Sequence, residues 1–318
     1  MATVLTRDVA HAPAPVRAAK PSVAQRWYSE KRLTGLSRFA IAITVLNVLG
    51  HTWLGFEQAW ITPFVALAAT YGTDLLGETI EARMQGRAAR YRGSFGALVT
   101  FLLPAHISGL AVGMLLYAVD NFAAIAFAGA VAMSSKYVFR AVVGTNAQGR
   151  PQTRHYLNPS NFGITVTLLL FPTVGIAPPY MFAENTSGIL DWLLPCLVIV
   201  TGSLLNTKAT GRIPLILAWL GAFAAQAVLR GLWHGTPIEA GLVPMTGFAF
   251  VLFTFYMITD PATTPAGRRG QILFAVAVAA LYGVMMELHV VFGLFYALTL
   301  VTAARGLALA LEHRRRAR

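Results

Sequence analysis

The chain has 318 residues, of which 56% are apolar and only 12% are charged, and its mean hydropathy is +0.60. This composition is typical of a protein with many membrane-spanning helices and excludes a soluble domain built around one core. The single cysteine, Cys196, excludes a disulfide framework and a cysteine-ligated zinc or iron–sulfur site within the chain. The net charge of +12 is concentrated between apolar runs, which is the pattern of membrane topology and excludes a nucleic-acid partner.

Apolar runs occupy most of the chain after a basic, Ala/Pro-rich tail at residues 1–35. Because a span needs roughly 20 mostly apolar residues, we predict an all-α, polytopic integral membrane protein with about ten transmembrane helices. The third and fourth spans can also be divided differently. The predicted spans are 38–56, 59–80, 95–117, 119–135, 160–176, 189–206, 213–230, 242–259, 270–287 and 289–310.

The lysines and arginines lie almost entirely on one side of these spans. If the N-terminus is cytoplasmic, the cytoplasmic segments hold nearly all of them, and the outer loops keep only Arg230. The positive-inside rule therefore predicts that the N-terminus and a basic C-terminal tail, residues 312–318, are both cytoplasmic. Membrane lipid is then the first expected partner.

Two halves of the chain, residues 36–176 and 177–311, hold five predicted spans each and so have opposite orientations. The third span (Ser94–Pro104) and the eighth (Thr246–Pro261) are both rich in small residues, then apolar, then closed by proline. This similarity predicts an inverted 5+5 repeat with interrupted third helices, an arrangement that places binding sites near the pseudo-symmetry axis. The alternative is that glycine and proline are simply common in membrane helices.

The sharpest predicted turn lies in the stretch Phe253–Arg269. The aspartate–proline pair at Asp260 ends the eighth span, because proline denies the preceding residue the α region. Thr263 and Thr264, followed by proline, then predict an N-cap and the start of the next helix, with Arg268 in its first turn. We call residues 260–265 the 260 elbow.

Similar polar turns precede the fifth span, with Asn158 as the predicted cap and Arg154 nearby, and the seventh span, at residues 206–212. Each turn combines free backbone N–H groups, the positive end of a helix dipole and a cation, which suits a phosphate or another anion. The alternative is that these residues are the ordinary caps and interfacial arginines of cytoplasmic helix starts.

Ionisable residues inside predicted spans are costly and usually functional. Asp74 and Glu78 lie one turn apart in the second span. Glu78 is near enough to the interface to pair with a cation there, whereas Asp74 is deeper and is the better functional candidate. Lys136 and Arg140 extend the fourth span, either as snorkelling anchors or as ligand contacts. No histidine pair has HxxH or HxxxH spacing, so we predict no metal site.

Two segments resemble a known family. Arg154–Pro172 (RHYLNPSNFGITVTLLLFP) resembles a segment of the D subunit of Rnf electron-transport complexes and of the B subunit of the sodium-pumping NADH:quinone reductase. Tyr256–Arg268 (YMITDPATTPAGR) resembles their Asp-Pro turn, and Ser94–Pro104 is similar to an early span. Within that superfamily, Lys136–Arg140, Asn206–Pro214 and the compact length most resemble the UnbU-type membrane proteins of enediyne biosynthesis.

The resemblance implies membrane electron transfer in a bacterial cytoplasmic membrane, with other redox or biosynthetic subunits as partners. The redox subunits attach FMN to the threonine of an S-G-A-T motif in the loop between the fifth and sixth spans. Here Ser187-Gly188 is followed by Ile189 and Leu190. Covalent FMN is therefore not expected, which leaves non-covalent FMN or riboflavin, or a quinone.

In this first hypothesis the cofactor lies between the two halves. Capping polar groups would fix the backbone, an arginine would neutralise anionic charge, and Phe162, Phe255 and Tyr256 would wall a planar ring. We name no catalytic residue, and whether the protein is an enzyme stays open. The predicted cofactor-binding residues are Asn158, Asp260, Thr264, Arg268, Arg154 and Tyr256.

Two other functions fit the same sequence. A bundle with broken helices also suits a transporter or channel for a small molecule, for which Asp74 is the candidate residue. The basic tails would also suit a membrane scaffold that recruits soluble biosynthetic enzymes.

Overall fold

The computed structural model describes residues 23–145 and 151–316. Most of the predicted basic tail, residues 1–22, and the last two residues lie outside this part of the chain. The α-helices are α1 (Val23–Leu49), α2 (Thr62–Met84), α3 (Phe95–Leu115), α4 (Phe122–Val138), α5 (Pro159–Leu170), α6 (Ile189–Leu205), α7 (Ile213–His234), α8 (Ile238–Leu242), α9 (Phe248–Leu252), α10 (Arg268–Glu287) and α11 (Gly293–Arg316). The strands are β1 (Leu116–Tyr117), β2 (Arg140–Thr145), β3 (Pro151–His155) and β4 (Gly175–Ile176).

Most of the long described helices are apolar enough for a membrane, but α2, which carries Asp74 and Glu78, is not among them. By length and composition, 5 described helices could cross one, or 6 if the bent pair Ile238–Thr246 and Phe248–Met257 counts as a single span. Helices α4, α5 and α6 are apolar but shorter. The structure is thus that of a mostly helical, membrane-embedded protein, as predicted. The finer number of ten spans stays a prediction, although every predicted span coincides with helical structure.

Two helices end in the same unusual way. Helix α1 continues into a π-helical turn, Gly50–Leu54, and α6 continues into another, Asn206–Thr210. Each turn is closed by a glycine in the left-handed region, Gly55 with φ 108° and Gly211 with φ 66°. Glycine adopts this conformation without a Cβ penalty, so it ends the helix cleanly. A proline then lies in the first turn of the following helix, α2 or α7.

Each half has a central packed group. In the first half, α4 packs against both α2 and α5, and α2 also packs against α3. In the second half, α10 packs against both α7 and α11. Helices α4 and α5 approach closely at Gly163, where a Cβ would overlap the carbonyl oxygen of Ala128 and lie 2.9 Å from the Cβ of Ala132. Small residues at such crossings are the usual way for membrane helices to pack.

Short antiparallel strands connect the helices of the first half. Strands β2 and β3 pair between α4 and α5, with Arg140 opposite His155. Strand β1, directly after α3, pairs with β4, which follows α5. The hairpin places the end of α4 beside the start of α5, so the last turn of α4 and the predicted Asn158 cap belong to the same end of the molecule.

The structure corrects two boundaries. Helix α3 runs unbroken through Pro104, so the prediction of an interrupted third span is wrong for the first half. A proline removes one backbone hydrogen bond but does not end a membrane helix when its neighbours accommodate the freed carbonyl. The eighth span is interrupted as predicted, with a 66° bend between its two parts. Helix α1 begins at Val23, so residues 23–35 of the predicted tail are helical.

Candidate functional site

A cavity of about 900 Å³ lies between the two halves of the chain. Its walls come from α1 and α3 of the first half, and from α6 and the π-helical turn Phe253–Met257 of the second. This volume is at the upper end of the range for small-molecule sites. Most of the side chains that line it are apolar, and polar groups gather where the 260 elbow and the start of α5 meet.

An aromatic stack forms one wall. The ring of Phe39 on α1 stacks on Tyr256, with the ring centroids 4.8 Å apart and the planes at 23°. The hydroxyl of Tyr256 is hydrogen-bonded to Thr201 Oγ1 on α6 at 2.9 Å. Phe255 lines the same cavity, whereas Phe162 packs against Phe139 away from it. Two of the three predicted aromatic residues therefore face the cavity.

The predicted cap at Asn158 is present and connects the halves. Its Oδ1 accepts a hydrogen bond from the backbone N–H of Asn161 at 3.1 Å, as an N-cap does. Its Nδ2 donates to the carbonyl oxygen of Met257 at 3.2 Å. Asn158 is buried, so its side chain ties the start of α5 to the π-helical turn of the other half at the cavity.

Asp260 ends the eighth span as predicted, and its carboxylate shapes the elbow. Oδ1 accepts from the backbone N–H of Ala262 at 2.9 Å, and Oδ2 accepts from Thr263 Oγ1 at 3.2 Å. The hydroxyl of Thr264 donates to the carbonyl oxygen of Asp260 at 2.7 Å. Asp260 lines the cavity, but the buried Thr264 does not.

The prediction that Thr263 and Thr264 cap the next helix is wrong. Helix α10 begins at Arg268 after Gly267, and no side chain caps it. The two threonines instead bond back to Asp260, because short hydroxyl side chains compete for nearby backbone groups in turns. The prediction that Arg268 lies in the first turn is confirmed.

Buried Arg212 is hydrogen-bonded to the backbone of the 260 elbow. Its guanidinium donates to the carbonyl oxygen of Pro265 at 2.6 Å and to that of Pro261 at 3.3 Å. Arg305 on α11 donates to the carbonyl oxygen of Thr263 at 2.9 Å. The cation predicted to attract an anion beside the seventh span therefore serves the backbone of the elbow. The spacing of residues in the sequence does not predict these contacts of Arg212, because the acceptor carbonyls lie some 50 residues away along the chain.

The structure does not bring every predicted cofactor-binding residue together. Asn158, Asp260 and Tyr256 line the cavity, whereas Thr264, Arg154 and Arg268 do not. Both arginines are exposed, Arg154 on β3 and Arg268 at the start of α10.

Sequence reasoning named Asp74 and Lys136 separately, and the structure pairs them. Asp74 is completely buried in α2, and its two carboxylate oxygens accept from Lys136 Nζ at 2.7 and 2.8 Å. Oδ1 also accepts from the hydroxyl of Tyr137 at 2.6 Å. Lys136 lines the cavity, whereas Asp74 lies behind it. The ion pair thus joins α2 to α4 directly behind the cavity wall.

Glu78 pairs with cations near the helix end, as predicted for the less functional of the two carboxylates. Its oxygens lie 2.5 Å from nitrogens of both Arg87 and Arg90, and the backbone N–H of Arg90 donates to it at 2.8 Å. The hydrogen bond with Glu78 raises the pKa of Arg87 above its ordinary value, so that guanidinium stays charged. Arg90 was missed because it reaches Glu78 only through the turn after α2.

The membrane histidines make ordinary polar contacts. His106 on α3 bridges Thr44 Oγ1 at 2.8 Å and the hydroxyl of Tyr71 at 2.6 Å. His51 contacts the carbonyl oxygen of Asn47 through Nδ1 at 2.9 Å. Within the described ranges, no three His, Cys, Asp or Glu side chains are grouped as a metal site would require.

The fold and the cavity together define a class: a helical, membrane-embedded protein with a largely apolar, ligand-sized cavity between two halves. No protein-family model matches the chain, and no curated protein sequence matches it either. The likeness to the Rnf D subunit therefore stays a prediction from the quoted segments.

Proposed function

We propose that the chain binds a quinone between its two halves and serves membrane electron transfer, in line with its resemblance to the D subunit of Rnf complexes and to UnbU-type proteins of enediyne biosynthesis. The observation that carries this proposal is the cavity of about 900 Å³. Its walls are apolar and aromatic, and most of its polar groups lie near the 260 elbow and the start of α5, as a planar ring with a few oxygen atoms requires.

The charges near the cavity favour a quinone or riboflavin over FMN. A bound phosphate needs a cation or several N–H donors beside it. Arg154 and Arg268 are exposed and do not line the cavity. Among the described residues that do line it, Lys136 is the only lysine or arginine, and Asp74 already neutralises its charge. A ligand without a phosphate is therefore the better match.

Apolar side chains of α1 and α6 line the cavity as well. Among them, Val45 and Leu197 are each about half exposed. Such walls suit a molecule with an apolar tail, such as a quinone.

The inverted repeat belongs to the same proposal. Contacts of α4 with α2 and α5 match those of α10 with α7 and α11, and the contact of α1 with α3 matches that of α6 with α9. Both α1 and α6 end in a π-helical turn and a left-handed glycine. These correspondences support two related halves with the ligand at their interface.

We expect detergent-purified protein to bind a short-chain naphthoquinone with saturable quenching of tryptophan fluorescence. Ala111→Phe places a ring in the cavity and should weaken binding at least tenfold, whereas Ala68→Phe on the exposed face of α2 should not. Absorption spectra before and after acid precipitation would detect a flavin. No saturable binding to the unmodified protein would contradict the proposal, and a flavin that stays with the pellet would contradict the absence of covalent attachment.

A transporter is the second candidate, because the cavity reaches both ends of the bundle. Its lining includes Asp260 and His155 at the predicted cytoplasmic end and His289 and Val291 at the predicted outer end. If this function holds, vesicles containing the protein should move ethidium, an aromatic transport probe followed by fluorescence. Asp74→Asn should abolish that flux. Flux that survives the substitution would remove Asp74 from the transport mechanism.

A further inference from the structure

Lys136 is a cationic side chain of the cavity wall. It lies in the last turn of α4, its side chain is 15% exposed, and it lines the cavity wall. A lysine ammonium carries three N–H donors. Two of them are directed to Asp74, at 2.7 Å from Oδ1 and 2.8 Å from Oδ2. Asp74 therefore accepts two of the three donors, and one N–H of Lys136 remains for another acceptor.

The ammonium is held in place from several directions. The hydroxyl of Tyr137 donates to Asp74 Oδ1 at 2.6 Å, with the Asp74 carbonyl oxygen also within 3.0 Å, and this contact fixes the carboxylate. The Tyr137 ring packs over Gly77, where a Cβ would lie 2.5 Å from the ring, so the contact requires glycine. The ring of Phe101 lies 5.4 Å from Nζ, within reach of a cation–π contact.

We propose that Lys136 donates a hydrogen bond to a carbonyl oxygen of the molecule bound in the cavity, and that Asp74 is the positioning residue for this ammonium. The proposal rests on the function proposed above and specifies its ligand: a neutral, ring-bearing molecule with a carbonyl group. The pair of Asp74 and Lys136 has no net charge. A neutral acceptor therefore adds no charge to the buried site, whereas a carboxylate would add one and would also have to lose its hydration.

A purely structural pair would behave differently. It would connect α2 to α4, and its removal would reduce stability without changing which ligands bind. A ligand-binding pair predicts selectivity, because the donor would discriminate a molecule with a carbonyl from one of the same shape without it. Discrimination by a single good hydrogen bond in a dry site is worth about tenfold or more in affinity.

The test measures binding of matched probes to the full chain in detergent. The probes are 2-methyl-1,4-naphthoquinone, 2-methylnaphthalene, which has the same rings without oxygen, and decanoate as an anion. We expect the unmodified protein to prefer the quinone to the hydrocarbon at least tenfold and to decanoate as well. In the double variant Asp74→Asn with Lys136→Met, which leaves no unpaired buried charge, the preference for the quinone over the hydrocarbon should vanish.

The outcomes separate the two proposals. If the unmodified protein binds neither ring, the proposed function fails, and this inference fails with it. If the double variant keeps the preference for the quinone, only the role of Lys136 is refuted. Tighter binding of decanoate would refute the assignment of a neutral carbonyl ligand.

Infrared spectroscopy of the unmodified protein gives a readout that does not depend on the variant folding. A carbonyl band of the bound quinone should shift to lower frequency, because the ammonium withdraws electron density from the C=O bond. An unshifted pair of carbonyl bands in the bound quinone would contradict the hydrogen bond.

Discussion

Replacing Glu78 with leucine is expected to lower the free energy of unfolding by about 3 kcal/mol, the low end of the range for breaking a buried ion pair. The carboxylate is completely buried and forms ion pairs with both Arg87 and Arg90, whose side chains are 31% and 51% exposed. Without it, Arg87 and Arg90 keep only the longer contacts with Glu81, at 3.7 and 3.3 Å, and the backbone N–H of Arg90 loses its acceptor. Partial exposure lets water stabilise the arginines, which keeps the effect from being larger.

The matched control for this prediction is Glu287→Leu. Glu287 also has two partners, Arg230 at 2.6 Å and His234 at 2.7 Å, but its own side chain is 38% exposed, whereas that of Glu78 is completely buried. Exposed ion pairs contribute little, because water and salt screen them. Thermal unfolding in detergent should show a clear drop in apparent Tm for the Glu78 variant and almost none for the Glu287 variant. An equal decrease in apparent Tm for both variants would mean that burial does not determine how much these ion pairs contribute to stability.

The sequence predicted those features that depend on local chemistry. Every apolar run became a helix, because helices satisfy their own backbone groups and suit a membrane. The Asp260-Pro261 pair ended the eighth span, and Asn158 capped α5, since both effects arise within a few residues of the chain. Pairing of Glu78 with a cation in the next turn was predictable for the same reason.

The features that sequence missed depend on distant contacts. Asp74 and Lys136 are 62 residues apart, and nothing in their spacing indicates that α2 and α4 pack side by side. Arg212 looks like an interfacial cation until the fold brings it under the carbonyl groups of the 260 elbow. Thr264 has the position of a cap, yet its hydroxyl finds a nearer acceptor in Asp260. In each case competing partners decide the outcome, and only the tertiary structure identifies them.

Only some of the residues predicted to bind a cofactor line the cavity. Tyr256 and Asp260 were selected from a motif, and both line it. Arg154 and Arg268 belong to the same family-like segments and were expected to balance anionic charge, yet neither lines it. Charge near a predicted helix start therefore did not identify residues of the cavity, whereas Tyr256, Asp260 and the capping Asn158 did. This difference is also the reason that we propose a neutral ligand rather than an anionic one.

Trp219→Ala is expected to have the largest effect on the second half of the chain, about 3–5 kcal/mol of stability. Trp219 is completely buried in α7 and contacts the rings of Phe223 and Phe253, each with centroids 5.4 Å away. Its Nε1 donates to Thr254 Oγ1 at 3.0 Å. Lipid removes much of the hydrophobic driving force, but the lost van der Waals contacts and the cavity left behind remain costly.

The control lies in the same helix. Trp233 is 85% exposed, so Trp233→Ala should leave the apparent Tm almost unchanged. Trp219→Phe keeps an aromatic ring but deletes the hydrogen bond to buried Thr254, and should cost about 1–3 kcal/mol. Comparison of the three variants by thermal unfolding in detergent separates packing from hydrogen bonding. Equal stability of the Trp219→Ala and Trp233→Ala variants would contradict the assignment of Trp219 to the packed core.

Loss of Trp219 should also weaken ligand binding, since the tryptophan supports one wall of the cavity. It packs against Phe253 and holds Thr254, the first two residues of the π-helical turn that carries Phe255 and Tyr256. A π-helical turn needs its neighbours to hold its wider backbone in place. Folded Trp219→Ala protein should be titrated with naphthoquinone at a temperature well below its Tm. Its affinity, read from the quenching of the remaining tryptophans, should be at least tenfold weaker than that of Trp233→Ala. Unchanged affinity would mean that the turn keeps its shape without Trp219 and that the cavity wall is fixed from the side of α1 and α6.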